Sequence, residues 1–271
     1  MHRATGELAR ILLGSSIALA GLGCAGDGSA AGAGDRPTVR IAAASDLQFA
    51  LRDLIETFEA DNASVTVEAT YGSSGNLFGQ VRNGAPFDAF FSADIAYARE
   101  LETSGLAGAG STRPYALGAL ALWVPDDSPI DVAALGMDAL LDPAAARIAI
   151  ANPEHAPYGR AAVAAMESAG VHDAVVGRLV LGENVSQAAQ FVESGSADIG
   201  IVALSIVRAP TLEGVGTFIE VPAGLYPPIE QGVVVLDRAA DREVAESFVT
   251  FVLSDAARPV LERYGFVVPG G

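Results

Sequence analysis

The sequence predicts an α/β protein folded as two lobes with a cleft between them. Three observations lead there. Apolar periodicity switches repeatedly between strand and helix spacing. That alternation runs through the chain twice, with no repeat at solenoid spacing. The 271 residues are enough for two modest cores. With 51% hydrophobic and 18% charged residues, the balance is that of a globular chain and not a disordered one.

The elements follow in order from about Thr38. VRIAAA (39–44) reads as a buried strand, and LQFALRDLIETFEA after it sets Leu47, Leu51, Leu54, Ile55 and Phe58 on one helical face. SVTVEATY (64–71) is the next strand, followed by a glycine–serine turn and a helix through Val81. DAFFSA (88–93) is a third strand, and YARELETSG a helix closed by Gly105. This βαβαβα order implies a parallel sheet with its strand-to-helix loops on one edge. The second half begins with one long strand, YALGALALWVPDD (115–127). RIAIANP (147–153) is a strand stopped by proline, and YGRAAVAAMESAG a helix ending at Gly170. ENVSQAAQFVESG is a further helix, and strands follow at DIGIVALS (198–205), TFIEVP (217–222) and IEQGVVVL (229–236). Two helices, about 242–253 and 255–264, finish the chain.

The first 24 residues read as an export signal: His2, Arg3 and Arg10 flank the apolar run 11–22, which is short for a bilayer span. The run ends in GLGC, and Cys24 is the only cysteine of the chain. A lone cysteine after small residues resembles the lipobox of bacterial lipoproteins, with Gly21 where Leu is usual; cleavage of an ordinary signal peptide nearby is the alternative. Neither reading leaves a thiol for catalysis or disulfides. Residues 25–37 are a Gly/Ala/Ser-rich tether.

All sixteen basic residues are arginine, and the formal net charge is −17; loss of residues 1–23, which carry a net +1, makes it −18. No basic run exists to track phosphates, which argues against nucleic acid.

Four loops share one chemistry: AAASD (42–46), YGSSGN (71–76), NPEHAPYG (152–159) and GENV (182–185) each open a helix beside small or turn-forming residues. A helix N-terminus carries unpaired N–H groups and a partial positive charge, so it binds anions without a cationic side chain. Serine at such an end adds an O–H donor, and glycine lets the backbone approach the guest. Each loop alone could be an ordinary cap or turn; four meeting across a cleft would form an anion cage of neutral donors. GSSG is not the GxSxG elbow, and no His/Asp set accompanies it. His2, His155 and His172 lack metal-ligand spacing, His155 reads as a structural loop residue, and Asp126–Asp127 as a solvated turn. The inventory favours a binder over an enzyme.

AAASDLQFAL, YGSSGNLFGQVRNGAPFDAFFSAD and LALWVP, in that order, resemble the molybdate-binding proteins of ABC importers, and SDAARPVLERYGF resembles that family's closing helix. The resemblance runs from about Val39 to Pro269, more loosely through the second half at NPEHAPYG, ENVSQA and GIVALS. It implies a type II periplasmic-binding-protein fold: two doubly wound α/β lobes joined by a two-strand hinge. Lobe 1 would be 38–120 plus 226–271, and lobe 2 would be 121–225, with crossings near 119–125 and 222–231. It also implies a monomeric receptor, exported and periplasmic or lipid-anchored through Cys24. Such a receptor binds molybdate or tungstate, uses no cofactor, and delivers its guest to an ABC permease.

Carried over by motif, the oxyanion ligands are the hydroxyls of Ser45 and Ser74 and main-chain N–H groups at Tyr158 and Val185; Asp46, as a first-turn residue, is expected to turn its N–H to the anion. They contact the oxygens of a metal oxyanion, not a bare cation. Two positions depart from the commoner branch. Asp46 stands where Leu is usual, and Ala203 replaces a tyrosine at the end of the GIVY strand. The Tyr158 hydroxyl is expected to replace part of that lost contact, and the Asp46 carboxylate to interact with its own helix start. A donor-only cage suits anions that are fully deprotonated at neutral pH, with size separating molybdate from sulfate. The alternatives are a receptor for phosphate or sulfate, with Asp46 accepting a proton from phosphate, a secreted serine hydrolase using Ser73 or Ser74, and a surface interaction protein.

Overall fold

The computed structural model describes residues 36–269; the export signal, Cys24 and most of the tether lie outside the described residues. Ten strands and ten α-helices are present among them. The strands are β1 (Thr38–Ala44), β2 (Thr66–Gly72), β3 (Ala89–Ser92), β4 (Arg113–Gly118), β5 (Leu120–Val124), β6 (Ile148–Ala151), β7 (Leu179–Gly182), β8 (Ile199–Ala203), β9 (Thr217–Glu220) and β10 (Ile229–Val235). The helices are α1 (Gln48–Asp61), α2 (Ser74–Arg82), α3 (Ile95–Thr103), α4 (Val132–Leu135), α5 (Pro157–Ser168), α6 (His172–Val175), α7 (Val185–Glu193), α8 (Leu204–Val207), α9 (Arg242–Val252) and α10 (Arg258–Arg263).

The strands form two five-stranded sheets, ordered β2-β1-β3-β10-β4 and β7-β6-β8-β5-β9. The first sheet is buried on both faces, and the pleat shows it. Ile41, Ala43, Phe91, Val233 and Val235 face a core with Leu51, Leu54 and Phe58 of α1 and Phe248 and Val249 of α9. Their neighbours Ala42, Phe90 and Val234 face the opposite core, under Leu77 and Val81 of α2 and Leu101 of α3. Each leucine taken fully out of water there stabilises the fold by about 1.5–3 kcal/mol. Phe58 and Phe248 meet edge to face with centroids 5.1 Å apart.

Two expectations need correction. The sheets are mixed, not parallel: β1 pairs parallel with β2 and β3, whereas β10 runs antiparallel to β3 and β4. Likewise β6 is parallel to β7 and β8, and β5 is antiparallel to β8 and β9. The antiparallel members adjoin the places where the chain passes between sheets without a helical crossover, so the parallel rule does not bind them. The long strand expected over 115–127 is in fact two. Gly118 pairs with Ile229 in the first sheet and Leu120 with Ala203 in the second, so Ala119 alone separates them. The chain returns between Glu220 of β9 and Ile229 of β10, through Pro222, Pro227 and Pro228.

Candidate oxyanion-binding site

The parallel strands β1, β2, β6 and β7 each lead into a helical segment: a 3₁₀ turn at Ser45–Leu47, then α2, α5 and α7. Ser45 and Ser74 are the first residues of their segments; Tyr158 follows Pro157 at the start of α5, and Val185 opens α7. N–H groups at such positions have no intrahelical acceptor. Proline at the first position of α5 removes one N–H that would have lacked a partner anyway. Asn184 caps α7 by accepting from Gln187 N at 3.0 Å.

The structure brings all five expected residues together. Ser45, Asp46, Ser74, Tyr158 and Val185 line one small cavity, with Ser73, Gly72 and Ala156 completing its wall, and no arginine is among the residues that line it. About 10 Å³ of it is open to the centre of a water-sized sphere. A spherical cavity with that free volume has a radius of about 2.7 Å for a 1.4 Å sphere. That is the scale of a water molecule or a small inorganic ion. Organic-ligand pockets are far larger, roughly 300–1,000 Å³. A broader groove of ≈ 460 Å³, lined by Asp94, Arg99, Arg160 and Glu230, lies between the same lobes but is open to solvent.

The Ser74 hydroxyl accepts from Ala93 N at 2.9 Å, so its own hydrogen is left to donate. Ser186 Oγ of α7 donates to Ser45 O at 3.0 Å, and Ser205 Oγ of α8 to Asp46 O at 2.7 Å, tying the turn after β1 to the second lobe.

Asp46 is 1% exposed. Its Oδ2 accepts from Gln231 Nε2 at 2.6 Å and from Tyr158 OH at 3.0 Å. Tyr115 OH donates in turn to Gln231 Oε1. Oδ1 has no hydrogen-bond partner in the protein. Burial pushes the Asp46 carboxyl up to about 6 from 3.8, against hydrogen bonds from Gln231, Tyr158 and its own backbone N–H that lower it. The Tyr158 and Tyr115 hydroxyls are pushed well above 10, first by burial and then by the Asp46 charge, so both remain O–H donors. The Tyr158 hydroxyl gives its hydrogen to Asp46 in this structure. The expected interaction of Asp46 with its own helix start is present through its backbone N–H, and side chains of β10 and α5 add to it.

Several partners were missed from the sequence. Gln231 and Tyr115 are ordinary strand residues there. His155, read as structural, bonds Ser73 Oγ through Nδ1 at 2.9 Å, and its carbonyl accepts from Gly75 N at 2.9 Å. These contacts close the mouth between the two lobes. A Cβ added at Gly75 would stand 2.6 Å from His155 O, so glycine is required there for close approach. Asp94 and Arg160 form a further bridge between the lobes at 2.8 Å.

The profile of the bacterial extracellular solute-binding proteins matches residues 39–267. The molybdate-binding protein ModA of Azotobacter vinelandii is 35% identical over 89% of this chain and 94% of its own. ModA of Rhodobacter capsulatus is 37% identical over 74% of this chain and 77% of its own. The solved structure of the Azotobacter vinelandii periplasmic molybdate-binding protein superposes with a TM-score of 0.80 at 31% identity, covering 85% of this chain and 99% of that one. Sequence profile, relatives and architecture agree, and the chain belongs to the bacterial extracellular solute-binding protein family.

Proposed function

We propose that this protein captures molybdate, or tungstate, outside the cytoplasm and hands it to an ABC permease. One observation carries the reading: four helix starts and two serine hydroxyls converge on an ion-sized cavity lined by no arginine among the described residues. Ser45 and Ser74 supply O–H donors, and Asp46, Tyr158 and Val185 supply main-chain N–H groups. Local dipoles act at contact distance, while the surface charge is screened over about 8–10 Å, so an acidic protein still holds a dianion. Like its relatives, it is a binding protein and not an enzyme.

The lobes would be 38–120 with 226–271, and 121–225. They are supported by the membership of the two sheets and by the crossings at Ala119 and at 221–228. Closure over the guest forms the Ser73–His155 and Gly75–His155 contacts. The mature chain acts as a monomer, exported and held at the membrane by lipid on Cys24, and it binds no nucleic acid. A second reading, a receptor for an anion that carries a proton, is favoured by the unpartnered Oδ1 of Asp46.

Calorimetry with molybdate, tungstate, sulfate and phosphate in parallel tests the assignment. Tight one-to-one binding of the first two, lost in Ser45→Ala combined with Ser74→Ala, is the expected result. Binding of phosphate or sulfate without molybdate would keep the cage and overturn the ligand.

A further inference from the structure

The cage contains one group that opposes its guest. Asp46 lines the cavity, is almost fully buried, and presents an oxygen with no protein partner. Left ionised, this carboxylate would lie beside a dianion in a buried site. We propose that the cage takes its guest together with one proton: on capture of a proton-free oxyanion, Asp46 Oδ1 binds a proton from solvent, and the resulting O–H becomes a further donor. The inference rests on reading the cavity as an oxyanion site. The step balances simply, since the carboxylate and one solvent proton give the neutral acid, and no covalent bond to the guest forms.

The surroundings hold the carboxyl in place for this. Oδ2 is fixed by Tyr158 OH from α5 and Gln231 Nε2 from β10, and Gln231 is itself oriented by Tyr115 from β4. From α8 and α7, the Ser205 and Ser186 hydroxyls reach only the backbone carbonyls of Asp46 and Ser45. The tyrosines facing the carboxyl keep their protons through the neutral range, because burial raises both well above 10. Tyr226, which bonds Leu120 N, is raised as well. Opposite, on the Ser73 side of the mouth, stands His155, the competing titratable group. The Arg160–Asp94 pair bridges the lobes at the broader groove outside the cage. With the lobes closed, burial alone lifts Asp46 to about 6, and a dianion bound beside it raises it further. Near neutral pH the free carboxyl is then largely ionised and the bound one protonated.

The test is calorimetric titration of the purified protein with molybdate between pH 6 and 8.5, in paired buffers of different ionisation enthalpy. The wild type, Asp46→Asn and His155→Gln are compared. The expected result is uptake of close to one proton per molybdate at pH 7.5, with affinity falling up to about tenfold per pH unit above the free carboxyl's pKa. Asp46→Asn, whose amide mimics the protonated acid, should show no uptake and a flat profile, and His155→Gln should keep the slope. Molybdate binding by the wild type without proton uptake would overturn the inference while leaving the functional reading intact. So would a slope that survives in Asp46→Asn. The wild-type proton count stands even if a variant fails to fold. Absence of molybdate binding at every pH, in wild type and variants alike, would overturn the functional reading and this inference with it.

Discussion

At position 74 a single hydroxyl has two roles: it accepts the Ala93 N–H at 2.9 Å and keeps its hydrogen for the cavity. A hydrogen bond to a charged partner contributes about 1.5–3 kcal/mol, so Ser74→Ala should weaken molybdate binding roughly 10- to 150-fold by calorimetry. An unchanged affinity would remove Ser74 from the site. Asp46 makes a different prediction, on stability. Its folded-state pKa of about 6 lies above the ordinary 3.8, so the fold favours the protonated form. That contribution is fully present below pH 3.8 and is lost as the pH rises through about 6. Asp46→Asn cannot ionise, and should stabilise the protein with its lobes closed at pH 8 relative to pH 4 by about 2 kcal/mol in denaturant titrations. Equal effects at the two pH values would show that burial does not burden the carboxylate.

Among the elements, the four strand ends were legible because their signals are local: small residues, a cap or a proline beside an apolar run. Those signals mark the four loops, and the family resemblance picks Ser45, Ser74, Tyr158 and Val185 within them. β7 (LVLG) was not legible, being four residues long and half exposed, with Leu181 turned to solvent. The break at Ala119 was hidden because apolar residues continue through it, and only pairing partners 83 and 111 residues away decide which sheet each half joins. Gln231, Tyr115 and His155 escaped for the same reason, since their roles depend on contacts across the fold. GSSG has a physical explanation at both ends: Ser74 keeps its hydroxyl hydrogen available to donate, and Gly75 lets α2 dock against His155. Gly75→Ala places a methyl 2.6 Å from a backbone oxygen that cannot rotate away. It should weaken binding about tenfold or more, the cost of one lost backbone hydrogen bond and incomplete closure, without lowering the melting temperature of the ligand-free protein. Wild-type affinity in this variant would mean that the lobes need not meet at His155.

On the scale of the whole molecule, a net charge of −17 and a cage without arginine separate long-range from contact electrostatics. The acidic surface repels a dianion at a distance and does not steer it in. Association measured by stopped flow should therefore speed up as salt rises from 10 to 150 mM, where the screening length shrinks from about 30 to about 8 Å. A rate that falls with salt would reveal a cationic entry path. The exposed Arg160–Asp94 bridge, with side chains 40% and 33% accessible, contributes at most about 1 kcal/mol to closure; the buried contacts around Asp46 and Ser73 hold the lobes together. The most direct measurement is a crystal structure of the molybdate-soaked protein, with data collected at the molybdenum absorption edge. One anomalous peak is expected between the Ser45 and Ser74 hydroxyls and the backbone nitrogens of Tyr158 and Val185, with Asp46 Oδ1 within hydrogen-bonding distance of a molybdate oxygen. A peak in the open groove beside Arg99 and Arg160, and none in the small cavity, would contradict the cage of neutral donors.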